Sequence, residues 1–391
     1  IRDRRFITEV SRNFYPWTNT NTLDVEQFEG TTALKGAIYM GDLIITGGAL
    51  ELGNGYADTV SSVSSGGGTL DFGSSTLTIR NGNGDFSNTQ IIPGTGRLIF
   101  ADQSNNRDLI SHENDTFPDI ECAVGSAYYL RVYPNTTICK SVIITTGLFR
   151  PTNSTFSILE SITGTSSGSI YFRAGAGAAG VVFAGTSCDL SSIGGVQADA
   201  DGYLKFTNSA ACTFKPWAQA AITSVPNVTI DAPGGVTVTT NRLAVSTLTS
   251  TSGTLTLQQP LKASALTMTG GTVLLGDGYT DTITGNVTAS GGTLDFGAST
   301  LCVNGATQNF SGASISKSSG AKLKFIRAGN QTFTPNGSAA YPDIDVLITG
   351  GTLTIQTNAL NCGAITVQSG ALNIGVNVTC LLYTSPSPRD S

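Results

Sequence analysis

Residues 67–79 read GGTLDFGSSTLTI and residues 291–303 read GGTLDFGASTLCV, with ten of thirteen positions identical. The match continues upstream, where TGGALELGNGYADTV at 46–60 resembles TGGTVLLGDGYTDTI at 269–283. Apolar residues alternate with Thr, Asp and Ser in these runs, which is typical of short β-strands. Period-two alternation predicts that the apolar residues of both copies point into a core. They are Leu70, Phe72, Leu77 and Ile79 in the first copy and Leu294, Phe296, Leu301 and Val303 in the second.

The copies continue downstream and set a longer period. The step FPDI at 117–120 matches YPDI at 341–344, and a weaker copy reads VPNV at 225–228. The prolines of these steps and one earlier proline are 102, 108 and 116 residues apart: Pro16, Pro118, Pro226 and Pro342. Such a period is typical of solenoids or arrays of similar domains, and predicts modules of roughly 110 residues. Their expected bounds are 5–40 (a partial copy), 41–147, 148–263 and 264–379, within one repetitive fragment.

The fine texture of each module predicts the fold class. Runs of about 4 to 6 residues are separated by Gly, Ser and Asn, as in LTSTSGTLTLQQPLKASALTMTGGTVLL at 248–275. One such strand cannot cover an apolar face, whereas coil stacked on coil buries a continuous ladder. We therefore predict an all-β protein, a parallel β-solenoid (β-helix) with right-handed coils. A row of β-sandwiches is the alternative, because sandwiches also show alternating strands every 8 to 12 residues or so.

Composition excludes several functional classes. Gly contributes 47 of 391 residues, Thr 54 and Ser 39, while charged residues make up only 12%. The formal net charge is -6 with a single His and no basic run, so we expect no nucleic-acid partner. No stretch approaches the roughly 18 uninterrupted apolar residues of a membrane span.

Both ends of the chain are predicted to be foreign to the fold. Residues 380–385 can be encoded as TGT CTC TTA TAC ACA TCT, which resembles the transposase mosaic end of sequencing libraries. The reverse complement contains ATA AGA GAC A, which encodes Ile1, Arg2 and Asp3. We therefore expect residues 1–4 and 380–391 to be adapter-derived. Residues 1–4 and 381–391 are expected to pack on nothing and to form no coil. The remainder would be an internal, metagenomic fragment of a longer reading frame.

The repeated motifs resemble those of a known group of proteins. GGTLDFGxSTLxI, the LxF strand before an aromatic-Pro-Asp-Ile step, and the SGTLTL and SGALNIG runs look like the repeat regions of bacterial adhesin or haemagglutinin-like β-solenoids. The likeness covers most of residues 42–379. It implies export, a rod-like stalk at the cell surface or outside the cell, and contact with other surfaces or glycans. The middle copy is degenerate, and neither terminus of the expected parent protein is present to show a secretion or anchoring module.

One acidic cluster is a candidate metal site. Asp199-Ala200-Asp201-Gly202 has the spacing of a calcium loop, so Asp199 and Asp201 are candidate ligands. The further oxygen ligands and the closing Glu of an EF-hand are lacking, so a solvated β-turn is the alternative. No other cofactor is expected. Asp58 and Asp281 recur at equivalent places and are interpreted as turn residues beside Asn54-Gly55 and Asp277-Gly278.

Other chemically active side chains are interpreted as structural. His112 lies in SHENDT, without a G-x-S-x-G nucleophile elbow, and is expected to be a loop residue. Asp119, Asn227 and Asp343 follow the repeated prolines and are expected to cap backbone donors. Six cysteines lack C-x-x-C spacing and look like buried small hydrophobes, although an even number permits disulfides. They are Cys122, Cys139, Cys188, Cys212, Cys302 and Cys362.

The sequence is compatible with two functional classes. The first is a non-catalytic structural and adhesive stalk, since repetition multiplies a weak contact whereas an active site needs one unrepeated constellation. Its partners would be other surfaces or glycans, or further copies of itself. The second is a β-helical polysaccharide lyase or hydrolase, which requires two or three carboxylates with Arg or Lys in a cleft. A phage tail-fibre segment would have the same architecture as the first class.

Overall fold

The computed structural model confirms the predicted fold class. It describes residues 4–7, 12–14, 22–133, 136–152, 155–172, 180–218, 224–375 and 380–381. Throughout these ranges the regular structure consists of β-strands, with no helix, and the strand pairs are parallel. The chain divides into two compact units: unit 1 is Ile1–Lys205 with Ala220–Pro226, and unit 2 is Phe206–Gln219 with Asn227–Ser391. The predicted module bounds and the hand of the coils stay predictions.

Unit 1 contains the first 21 strands, and β22 (Tyr203–Phe206) lies at the boundary. The strands are β1 (Arg4–Ile7), β2 (Arg12–Phe14), β3 (Leu23–Leu34), β4 (Asp42–Glu51), β5 (Ala57–Val60), β6 (Ser62–Ser65), β7 (Thr69–Asp71), β8 (Thr76–Ile79), β9 (Gly84–Asp85), β10 (Gln90–Ile92), β11 (Arg97–Phe100), β12 (Arg107–Ile110), β13 (Thr116–Phe117), β14 (Asp119–Ala123), β15 (Tyr129–Tyr133), β16 (Thr137–Pro151), β17 (Thr155–Gly164), β18 (Gly168–Phe172), β19 (Gly180–Phe183), β20 (Ser187–Asp189) and β21 (Gly195–Ala198).

Unit 2 contains the remaining strands. They are β23 (Cys212–Lys215), β24 (Asn227–Val238), β25 (Leu243–Leu257), β26 (Leu261–Met268), β27 (Thr272–Leu274), β28 (Thr280–Ile283), β29 (Val287–Ala289), β30 (Thr293–Asp295), β31 (Thr300–Val303), β32 (Thr307–Asn309), β33 (Ser314–Ser316), β34 (Lys322–Phe325), β35 (Gln331–Thr334), β36 (Ala340–Tyr341), β37 (Asp343–Ile355), β38 (Leu360–Cys362), β39 (Ile365–Ile374) and β40 (Cys380–Leu381).

A ladder of apolar side chains runs through the coils of unit 1. Successive rungs pair with one another at spacings of 20 to 22 residues, and every rung is buried: Leu77, Leu98, Ile120, Val142 and Ile162. One coil therefore takes about 20 residues, as the spacing of the short runs suggests. Because each strand contributes one or two inward residues, burial depends on the neighbouring coils rather than on any single strand.

Unit 2 contains an equivalent ladder. Successive rungs lie 18 to 22 residues apart and are buried: Val245, Ala263, Ile283, Val303, Phe325 and Val346. The eight core residues predicted from the duplicated motif are likewise fully buried, in both units. The duplicated sequence thus folds into the same coil in each unit, which confirms the prediction drawn from period-two alternation.

The expectation that the chain ends form no coil is wrong at two residues. Arg4 lies in β1 and pairs with Leu23, and Leu381 lies in β40 and pairs with Asn361. A strand edge offers unpaired N–H and C=O groups to any extended segment, whatever the origin of its sequence. Residues 1–3 and 382–391 lie outside the described residues, and the adapter origin of the ends stays a prediction.

Candidate functional site

A hydrogen-bonded turn, the duplicated corner, explains why the shared motif contains Asp before Phe-Gly. We define it as residues 71–77 in unit 1 and 295–301 in unit 2. Asp71 Oδ1 accepts the N–H of Gly73 at 2.8 Å, and Asp295 Oδ1 accepts that of Gly297 at 2.9 Å. This is the local side-chain-to-backbone bond through which Asp favours turns. The Asp and Gly that the two motifs share are therefore explained by the turn that they form in each coil.

The serine of the duplicated corner joins consecutive coils. Ser75 Oγ accepts the N–H of Tyr56 at 3.1 Å and donates to the carbonyl of Leu52 at 3.2 Å. In unit 2, Ser299 Oγ accepts the N–H of Tyr279 at 3.0 Å, and its hydroxyl is shared between the carbonyls of Gly276 at 3.3 Å and Leu275 at 3.4 Å. Both serines are fully buried, so these bonds satisfy backbone groups that water does not reach.

Two buried carboxyl groups repeat at equivalent positions of the two units. Asp58 Oδ1 accepts the N–H of Ile38 at 2.9 Å, and Asp281 Oδ1 accepts that of Leu261 at 2.7 Å. Both side chains are fully buried, and no described residue forms a hydrogen bond to either Oδ2 atom. Burial raises the pKa of Asp58 to about 6 and that of Asp281 to about 7, while the backbone N–H bond opposes the shift.

The interpretation of Asp58 and Asp281 as turn residues was therefore wrong. They lie in strands β5 and β28 and point inward. The signal was in the alternation, because Asp58 precedes the buried Val60 by two residues and Asp281 precedes the buried Ile283 by two. The adjacent Asn-Gly and Asp-Gly pairs are strong turn signals, and they led to the wrong assignment of these two aspartates to turns.

The calcium candidates form a turn. The Gly202 N–H donates to the Asp199 carbonyl at 3.0 Å, closing a β-turn over residues 199–202. Asp199 Oδ1 accepts the hydroxyl of Tyr171 at 2.5 Å, while Asp201 is exposed. Across the described ranges, no group of three or more His, Cys, Asp and Glu side chains is placed to hold a metal ion. Calcium binding by Asp199 and Asp201 stays a prediction.

The loop position of His112 and the capping by two of the residues after proline are confirmed. His112 lies outside the strands with its side chain 45% exposed, and its Nδ1 lies 3.5 Å from Asp115 Oδ2. Asn227 Oδ1 accepts the N–H of Thr247 at 3.1 Å, and Asp343 Oδ1 accepts that of Ala364 at 3.1 Å. Each cap therefore holds the backbone of the next coil, not its own turn.

All six cysteines of the predicted native region are buried, and none of them forms a disulfide. Burial raises the pKa values of Cys122, Cys139 and Cys302, so these thiols remain protonated and behave as small hydrophobes. Cys122 pairs in register with Ile144 and Cys139 with Phe117, and no disulfide joins these two cysteines, which would enclose the shortest loop that the six allow.

Unit 1 concentrates charge and aromatic rings in one place, the outer cluster. It consists of Asp108, Tyr129, Arg131, Arg150, Tyr171 and Asp199. Arg131 forms two bonds to Asp108, at 2.9 and 3.0 Å. The Arg150 guanidinium lies 5.1 Å from the ring centroid of Tyr129 and 5.3 Å from that of Tyr171. The sequence did not reveal this cluster, because its members are up to 91 residues apart and only coil stacking brings them together.

A second outer feature is a groove across three consecutive coils of unit 1, the Tyr39 groove. It encloses about 430 Å³ of space open to solvent and is lined by Tyr39, Met40, Gly41, Thr59, Val60, Ser61, Arg80 and Asn81. Tyr39 is 48% exposed, and the Arg80 guanidinium lies 5.7 Å from its ring centroid. Only about 160 Å³ of this space lies within the groove itself, less than the roughly 300–1,000 Å³ typical of small-molecule sites, so the groove has room for one part of a ligand.

Comparisons with protein-family models, curated proteins and solved structures give no match for this chain. Within the described part of the chain, no helix is long and apolar enough to cross a membrane. The site geometry therefore supplies the functional argument.

Proposed function

We propose that the chain is a non-catalytic structural and adhesive segment of an exported bacterial surface protein. This proposal rests on the positions at which the two copies of the duplicated motif have identical residues. Identical residues fill the core, cap the duplicated corner or join coils, as Leu70, Asp71 and Ser75 do in unit 1. Repetition that maintains a scaffold fits a protein whose outer side chains make weak contacts many times over.

The partners proposed are glycans or other surfaces, met outside the cell. The physical support is the surface itself, which is rich in Thr and Ser hydroxyls and poor in charge. Such a surface makes many hydrogen bonds of modest strength and no long-range electrostatic attraction. Affinity would then come from the number of contacts, which a stack of coils provides.

Co-sedimentation with insoluble cellulose, chitin and cross-linked polygalacturonate tests the proposal. We expect the chain to sediment with at least one of them and to release neither reducing ends nor unsaturated uronates during prolonged incubation. Release of products would contradict the non-catalytic role. Failure to sediment with any of the three would contradict the adhesive role.

A β-helical polysaccharide lyase or hydrolase is the second candidate, and the outer cluster is the observation that favours it. Arginine beside carboxylates and tyrosines is the kind of constellation that such chemistry needs. Its known contacts are internal, however, since Arg131 bonds to Asp108 and the Tyr171 hydroxyl bonds to Asp199. If the sedimentation assay does release products, Tyr171→Phe and Arg150→Ala should abolish that release while leaving the fold intact.

A further inference from the structure

The two units differ at the outer positions that form the Tyr39 groove. Tyr39 pairs with Thr59 on the neighbouring coil, and Lys262 pairs with Thr282 in the equivalent way in unit 2. The Arg80 N–H donates to the Val60 carbonyl, and the Asn304 N–H donates to that of Ile283. The backbone pairing is thus the same, but at these two positions unit 2 has Lys262 and Asn304 instead of the aromatic ring and the guanidinium.

The chemistry of the groove is specific. Arg80 is the one formally charged side chain among the lining residues, and none of them is acidic. A guanidinium binds a carboxylate through two parallel N–H bonds. The exposed part of the Tyr39 ring offers an apolar face for C–H groups, and Thr59, Ser61 and Asn81 offer polar groups for hydroxyls.

We propose that the Tyr39 groove binds the carboxylated sugar residues of an acidic polysaccharide. Tyr39 stacks on the sugar ring, and Arg80 binds the sugar carboxylate. Because three coils form the floor of the groove, the ligand contacts Tyr39 and Arg80 together, although they are 41 positions apart in the chain. The inference rests on the proposed adhesive function and narrows its ligand to an acidic saccharide.

Calorimetric titration of the full chain with trigalacturonate tests this site. We expect weak binding that falls with added salt, with Tyr39→Ala and Arg80→Ala each lowering the association constant by about tenfold. Lys262→Ala, at the matched position of unit 2, should leave it unchanged. Tyr39 and Arg80 are both exposed, so the variants should retain the wild-type melting temperature.

Three outcomes would overturn the inference. The first is no binding of trigalacturonate at millimolar concentration, and the second is binding that is unchanged in both groove variants. A polyglutamate of equal charge that competes as well as the saccharide would show that the groove recognises charge alone. Sedimentation with cellulose or chitin is independent of these results, so the site can fail while the adhesive function stands.

Discussion

The two units agree closely at the duplicated corner and diverge at the outer positions that form the Tyr39 groove in unit 1. The Asp-to-Gly bonds measure 2.8 and 2.9 Å, and the bonds accepted by the two serines measure 3.1 and 3.0 Å. On the outer side, Tyr39 stands where unit 2 has Lys262, and Arg80 where it has Asn304. The inward residues therefore determine the coil, and the outer residues are free to specify a ligand.

The largest expected effect is at the glycine of the duplicated corner. A Cβ at Gly73 would lie 2.2 Å from the Gly53 carbonyl oxygen, and one at Gly297 would lie 1.9 Å from that of Gly276. Both glycines also have positive φ, 53° and 51°. We expect Gly73→Ala and Gly297→Ala each to lower the free energy of unfolding by about 3 kcal/mol or more, measured by urea denaturation.

A substitution at Gly278 tests the effect of positive φ alone, without the steric clash expected at Gly73 and Gly297. The φ of Gly278 is 77°, yet nothing lies within 4 Å of an added Cβ. Gly278→Ala should therefore cost only about 1 kcal/mol. An equal cost at Gly278 and Gly297 would show that close approach of the coils does not determine this corner.

The second effect is pH-dependent and comes from the buried carboxyls. Burial raises the pKa values of Asp58 and Asp281 above the ordinary 3.8, so the folded state prefers the protonated form. Protonation of these two carboxyls therefore contributes its full stabilisation of the folded state below about pH 4. This contribution is lost as pH rises through about 6 for Asp58 and about 7 for Asp281. Asp281→Asn keeps a neutral side chain, so it should stabilise the protein by about 2–4 kcal/mol at pH 8 and hardly at pH 4.

The control for this pH dependence is Glu51→Gln, an exposed position on β4. It should alter stability by less than about 0.5 kcal/mol at both pH values. Thermal melts between pH 4 and pH 8 make the measurement. A benefit of Asp281→Asn that is the same at both ends of this range would contradict a buried, titrating carboxyl.

A smaller effect is expected at the serine that joins the coils. Ser299→Ala removes the bond from the Tyr279 N–H and the hydroxyl's shared bond to the Gly276 and Leu275 carbonyls, and should cost about 1–2 kcal/mol. Ser74→Ala is the matched control, because Ser74 is exposed and unit 2 already has Ala298 there. Equal costs in denaturant titrations would remove the structural distinction between the two serines of the motif.

The smallest effect concerns calcium. We expect EGTA to leave the melting temperature unchanged, since Asp201 is exposed and Asp199 already bonds to the Tyr171 hydroxyl. A melting temperature that falls with EGTA in the wild type but not in Asp201→Ala would instead establish a calcium site at this turn.

The sequence predicted the interior better than the surface, for physical reasons. Leu70 and Leu294 could be assigned to the core because alternation within one strand is local information. Asp58 was misread because a turn signal precedes it, although its spacing to Val60 put it inside. The Tyr39 groove could not be found, because the pairing of successive coils, not local sequence, brings Tyr39 and Arg80 together.

The structural proposal depends on burial between stacked coils, so one whole coil should be removable, and deletion of one coil tests this most directly. Thr300 pairs in register with Lys322, so removing residues 300–321 places Lys322 where Thr300 stood. We predict that this variant keeps its β-sheet circular dichroism and a cooperative melt, whereas removing residues 300–310, half a coil, abolishes folding of unit 2. Loss of structure in the whole-coil deletion, or equal tolerance of both deletions, would contradict the account.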